Sequence, residues 1–138
     1  MHTVSRDFSF CYGHRLLNHE GKCAHLHGHN AKVRVELSAD VLDDDGMVLD
    51  FGELKRAVGE WLESELDHRT FLAENDPLVL PLCDAGEPLV LFPQNPTAEN
   101  LAEFIFTKIA SFGFPVAKVS FWETEKCFAS YFERNYFE

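Results

Sequence analysis

No apolar run in this 138-residue chain approaches the roughly 20 residues that a helix needs to cross a bilayer. Basic residues are scarce. The chain has 12 Lys and Arg against 23 Asp and Glu, a formal net charge of −11, so it lacks the positive footprint of a nucleic-acid binder. The same deficit argues against anionic membrane surfaces. Four cysteines (Cys11, Cys23, Cys83 and Cys127) are scattered, with no Cys-x-x-Cys pair. They read as reduced thiols rather than a disulfide framework. The chain does not open with a basic segment followed by an apolar stretch, so no secretory signal is expected and the expected location is cytoplasmic. Internal repeats, low-complexity tracts and Gly/Ser linkers are also missing, and residues 1–138 are expected to form one domain.

Aromatic residues are plentiful, including 13 Phe, and hydrophobic residues make up 46% of the chain. That is enough to build a core and excludes a disordered polymer. Thr3 to Cys11 reads as a strand and His14 to Ala24 as a loop. From Leu26 to Ser38 the pattern alternates, with His27, His29, Ala31, Val33, Val35 and Leu37 on one face. An acidic turn at Asp43–Gly46 leads to a short returning strand over Met47–Leu49. Asp50 is placed as an N-cap, and Leu54, Val58, Trp61 and Leu62 follow at helical spacing over Phe51–Leu66. Residues 69–95 show no long element, although Pro77–Leu82 and Pro88–Phe92 are candidates for a short helix and a short strand. A second helix is expected from Ala98 to Ser111, with Thr97 as its N-cap and Gly113 near its end. Val116–Thr124 and Phe128–Phe137 close the chain as a hairpin. Strands at both ends of a helical middle point to an antiparallel α+β layer.

The histidines carry the chemistry. His27 and His29 stand two apart on a strand, so both imidazoles project from one face and can share a metal. His14, at the end of the first strand, is a candidate third ligand, with His25 and His19 as rivals. Cys23 could be a fourth ligand closing a structural site, or a thiolate base beside Lys22. Asp67 next to His68 fits a carboxylate that orients an imidazole, or a histidine placed against the dipole at a helix C-terminus. Glu123 ends an apolar strand face, where it either binds N–H groups of a ligand or reaches solvent.

An ordered series of short motifs spans nearly the whole chain. It comprises Phe8-Ser9-Phe10, His14-Arg15-Leu16, Cys23-Ala24-His25-Leu26-His27-Gly28-His29, Leu49-Asp50-Phe51 with Leu54-Lys55, Leu66-Asp67-His68, Pro96-Thr97-Ala98-Glu99-Asn100 and Glu123-Thr124. The series resembles the 6-pyruvoyltetrahydropterin synthase / 6-carboxytetrahydropterin synthase family. The resemblance implies the tunnelling fold, a four-stranded antiparallel sheet with two helices on one face, assembled through an oligomeric barrel into a hexamer of two trimers. It implies a catalytic zinc held by His14, His27 and His29. Cys23 matches the proton acceptor, and Asp67 and His68 match relay partners supplied across a subunit boundary. Glu123 matches a catalytic and substrate-binding acid that anchors the pterin, and Thr97 lies in the pterin-pocket segment.

Three residues separate Cys23 from His27, as in the bacterial 6-carboxytetrahydropterin synthases of queuosine biosynthesis. The implied activity is that of a zinc-dependent lyase converting 7,8-dihydroneopterin triphosphate to 6-carboxytetrahydropterin, acetaldehyde and triphosphate. The alternatives are 6-pyruvoyltetrahydropterin synthase, which only eliminates triphosphate, and a non-catalytic zinc-binding structural or sensor protein. Cys11-Tyr12-Gly13 departs from the family pattern, which favours small residues or Glu-Ala-Ala there. Arg69 stands where a second His is frequent. With so acidic a chain, a local basic cluster should receive the triphosphate, and Arg15, Lys22 and Arg69 are the candidates.

Overall fold

The alternating faces of the long strands decide which side of the sheet is covered. In the computed structural model, which describes residues 1–133, Ala31, Val33, Val35 and Leu37 are all buried. They belong to β2 (His27–Ala39), which pairs antiparallel along its full length with β1 (His2–His14). On its other edge β2 pairs antiparallel with β5 (Val116–Thr124), which pairs antiparallel with β6 (Cys127–Phe132). Residues 134–138, which include the end of the expected last strand, lie outside the described residues.

Two long helices cover the apolar face. Helix α1 (Phe51–Glu65) starts where the Asp50 carboxylate accepts from the Gly52 N–H at 2.8 Å, and it buries Leu54, Val58, Trp61 and Leu62. The third helix of the chain, α3 (Ala98–Ser111), starts where the Thr97 hydroxyl accepts from the Asn100 N–H and buries Leu101, Ile105 and Ile109. Beyond it Gly113 takes a φ of +93°, a left-handed conformation that glycine adopts without Cβ strain. Both helices pack into one core with Phe10, Val33, Val35, Val119 and Phe121. Each such side chain contributes about 1.5–3 kcal/mol when removed from water. No helix among the described residues is long and apolar enough to cross a membrane.

The sheet is wider than four antiparallel strands. Residues 69–95, read from sequence as mostly loop, supply β3 (Arg69–Ala73), the short helix α2 (Val79–Asp84) and β4 (Leu89–Phe92). β3 runs parallel to the end of β1, with His14 opposite Phe71, and β4 runs parallel to β3. The result is a mixed six-stranded sheet in the order β4-β3-β1-β2-β5-β6, with three α-helices. β3 meets β1 over only the last three residues of that strand, Tyr12–His14. The expected returning strand at Met47–Leu49 does not form. Both edges of β2 are already paired, and the Asp43 carboxylate instead accepts the Asp45 and Met47 N–H groups at 2.9 Å.

Candidate metal centre

Strand register brings the three histidines together. His14 is the cross-strand partner of His27, and His29, two residues further along β2, faces the same side. Ring centroids are 4.6 Å apart for His14 and His27, 5.1 Å for His14 and His29, and 5.0 Å for His27 and His29. One ring nitrogen of each lies within 4.8 Å of the others. Among the described residues this is the one group of three or more His, Cys, Asp or Glu side chains placed to hold a metal ion, and neither Cys23 nor His25 belongs to it.

Hydrogen bonds fix two of the tautomers. His14 donates from Nδ1 to the Pro96 carbonyl at 2.8 Å, and His27 donates from Nδ1 to the His25 carbonyl at 2.7 Å. Each therefore keeps its lone pair on Nε2, the usual arrangement in which an outer acceptor orients a metal-binding imidazole. Nε2 of His14 and Nε2 of His29 are buried without a hydrogen-bond partner among the described residues. Buried polar atoms are seldom left so, and a cation is the partner these lone pairs suit. Burial also favours the neutral form of the His14 and His29 rings, the form a ligand needs. Loss of hydration pushes the His14 pKa down to about 4, helped by the charges of His27 and His29 and opposed by the Pro96 hydrogen bond. The His29 pKa falls for the same primary reason, against the pull of Glu123.

The Pro96 carbonyl is itself held in place. The Asn95 side chain accepts from the Leu17 N–H at 2.8 Å and donates to the Leu17 carbonyl at 3.0 Å. Asn100 donates from Nδ2 to the Asn95 carbonyl at 2.8 Å. The turn before α3 is thus clamped to the segment just after His14. Arg15 donates from Nε to the buried Asp76 at 2.8 Å, with a second bond from Nη2. This pairing holds the Asp76 carboxyl below the usual carboxylate range.

The other residues singled out from sequence are placed as follows. Cys23 is half-buried in a 3-10 turn (Lys22–Ala24), and its carbonyl accepts from the Leu16 N–H at 2.8 Å. Glu123 is partly buried, with Oε2 3.9 Å from Nε2 of His29. The Thr97 hydroxyl is engaged as the α3 cap. Asp67 accepts from the Cys11 N–H at 2.9 Å through Oδ1 and from Nδ1 of His68 at 2.8 Å through Oδ2. The Cys11 N–H, first, and His68 hold the Asp67 carboxyl below its usual range. His68 has a left-handed φ of +60° and a side chain that is 78% exposed. No hydrogen bond or ion pair among the described residues joins His68 to Cys23 or to the three clustered histidines.

Of the expected triphosphate cluster, Arg15 is committed to Asp76, and Arg69 donates to the Ser64 carbonyl at 3.0 Å. The reading from sequence missed two contributors to the site. One is the Pro96 carbonyl, a backbone group that no residue pattern advertises. The other is Tyr12, whose ring lies against His14 and His29 at centroid distances of 5.0 and 5.6 Å. Its placement two residues before His14 was a signal available in the sequence.

A family model described as 6-pyruvoyl tetrahydropterin synthase matches residues 3–134. The chain is 33% identical over 135 residues to a 6-carboxy-5,6,7,8-tetrahydropterin synthase of Rickettsia typhi, covering 93% of this chain and 98% of the relative. It is 31% identical over 141 residues to that of Haemophilus influenzae, covering 96% and 100%. Among solved structures, an uncharacterized protein from Wolinella succinogenes superposes with a TM-score of 0.80 at 27% identity, covering 96% and 98% of the two chains. The 6-pyruvoyl tetrahydropterin synthase of Caenorhabditis elegans superposes with a TM-score of 0.71 at 28% identity, covering 95% and 94%.

Proposed function

The chain belongs to the 6-pyruvoyl tetrahydropterin synthase family, and on that premise we propose that it is a zinc-dependent 6-carboxytetrahydropterin synthase. In this reading it is a cytoplasmic lyase of queuosine biosynthesis that acts on 7,8-dihydroneopterin triphosphate. The observation that carries the reading is the partly buried three-histidine cluster, with Nε2 of His14 and His29 unpartnered, in a chain whose curated relatives are named for that activity. Three imidazoles without a cysteine fit an open catalytic site better than a closed structural one. Zinc, when held by His14, His27 and His29, supplies Lewis-acid polarisation of the substrate's side-chain hydroxyls.

The chain's own groups do the rest. Cys23, as a thiolate, takes the proton from the substrate's side-chain carbon. Asp67 holds Nδ1 of His68, which leaves Nε2 to exchange that proton. Because His68 is exposed and unconnected to the cluster within its own chain, it serves the site of a neighbouring subunit, in the hexamer of two trimers. Glu123, beside His29, accepts from the pterin's 2-amino and N3 hydrogens, and Thr97 lines the pocket. Elimination of triphosphate, addition of water to the resulting C1′ carbonyl and a retro-aldol-like cleavage of the C1′–C2′ bond then leave the carboxylate on the pterin and release C2′ and C3′ as acetaldehyde.

The experiment is turnover of 7,8-dihydroneopterin triphosphate by zinc-loaded protein, with a His14→Ala variant alongside. The wild type should consume the substrate and the variant should retain neither metal nor activity. Wild-type protein that holds zinc without consuming the substrate would overturn the reading.

A further inference from the structure

Four buried side-chain nitrogen or oxygen atoms among the described residues have no hydrogen-bond partner, and three of them are gathered at one place: Nε2 of His14, Nε2 of His29 and the hydroxyl of Tyr12. A metal accounts for the two nitrogens but leaves the hydroxyl unexplained. Tyr12 lies opposite His29 in the β1–β2 register and is 4% exposed. Its ring is stacked on Phe71 at 4.9 Å, set edge-on to Phe121 at 5.7 Å, and in contact with both histidines. A phenylalanine would make all of these ring contacts. The oxygen adds nothing to packing, and burying it unpaired costs stability. A buried tyrosine hydroxyl usually has a partner, and here the missing partner is a group that arrives with the ligand.

We propose that Tyr12 is a further substrate-binding residue, whose hydroxyl hydrogen-bonds a side-chain hydroxyl of the pterin held at the three histidines. The assignment rests on the pterin reading above and deepens it. The side-chain end of the ligand is chosen because the Tyr12 ring touches the two histidines that would receive that end.

The test uses zinc-loaded Tyr12→Phe protein and calorimetric titration with two ligands that cannot eliminate triphosphate. These are 7,8-dihydroneopterin, which has the hydroxylated side chain, and 7,8-dihydropterin, which lacks it. Loss of one neutral hydrogen bond should weaken the first about three- to tenfold. Binding of the second should be unchanged, with equal zinc content and a melting temperature at or above that of the wild type. Equal affinity of variant and wild type for dihydroneopterin would overturn the proposal. So would equal weakening toward both ligands, or a lowered melting temperature, which would show the hydroxyl partnered inside the fold. If wild-type protein binds neither pterin, the pterin reading itself fails and takes this inference with it. If it binds both and Tyr12→Phe is indistinguishable, only the inference fails.

Discussion

His14 is 1% exposed, and its burial sets both its protonation and its use. In metal-free protein it stays neutral down to about pH 4, whereas an unfolded histidine takes its proton near 6.5. The unfolded chain therefore binds more protons between these values, so stability is fully present above about pH 6.5 and is lost as pH falls toward 4. His29 shifts in the same direction and adds to the loss. Asp67 and Asp76, held low by their hydrogen bonds, lose their contribution only below the ordinary carboxylate value of 3.8. We predict that urea unfolding of the metal-free protein gives a lower stability at pH 5 than at pH 7, and that His14→Phe flattens the difference. An unchanged slope in the variant would show that other groups carry it.

Cys23 is outside the metal cluster, so its loss should separate chemistry from metal retention. Cys23→Ala is expected to keep zinc and its melting temperature while turnover drops at least about 100-fold, the scale of a lost general base. A zinc-free, destabilised variant would mean the thiol is a structural ligand. A fully active one would hand the proton to another group.

At the scale of elements, the Asn95 clamp joins the turn before α3 to the segment after His14 and so aims the Pro96 carbonyl at Nδ1. Removing an outer partner of a metal-ligating histidine typically costs 10–100-fold in affinity. We expect Asn95→Ala, which acts one step further out, to weaken zinc binding by about tenfold in a chelator competition and to lower the melting temperature. An unchanged zinc affinity would show that Pro96 is held without the clamp.

Local signals made much of this architecture legible in the sequence. The caps at Asp50 and Thr97 and the spacing of Leu54, Val58 and Leu62 belong to single segments, and period-two alternation placed His27 and His29 on one face of β2. The strand β3 was hidden because its pairing with the end of β1 is a long-range fact, whereas β4 falls on the Pro88–Phe92 candidate. The Met47–Leu49 strand was a false positive for the same reason, since no edge of β2 remained to receive it. Arg15 read as a phosphate ligand because its partner, Asp76, is 61 residues away.

For the whole molecule, the exposed His68, held by the half-buried Asp67, makes a specific demand. If each site draws Cys23 from one subunit and His68 from the next, then Cys23→Ala and His68→Ala proteins, each inactive, should regain activity when unfolded, mixed and refolded together. Light scattering should give a hexamer in both the variants and the mixture. No recovery in a mixture that assembles fully would place the two residues in the same subunit's site, or remove one of them from the reaction.

The net charge of −11 sets the molecule as a whole against a triphosphate at long range, so capture depends on the local site, and the decisive measurement is the fate of the substrate. Purified zinc-loaded protein should be given 7,8-dihydroneopterin triphosphate, and the products analysed by mass together with trapped acetaldehyde. The expected product is 6-carboxytetrahydropterin, with acetaldehyde released in equal amount. A product that retains the three-carbon side chain, or unreacted substrate beside fully zinc-loaded protein, would contradict it.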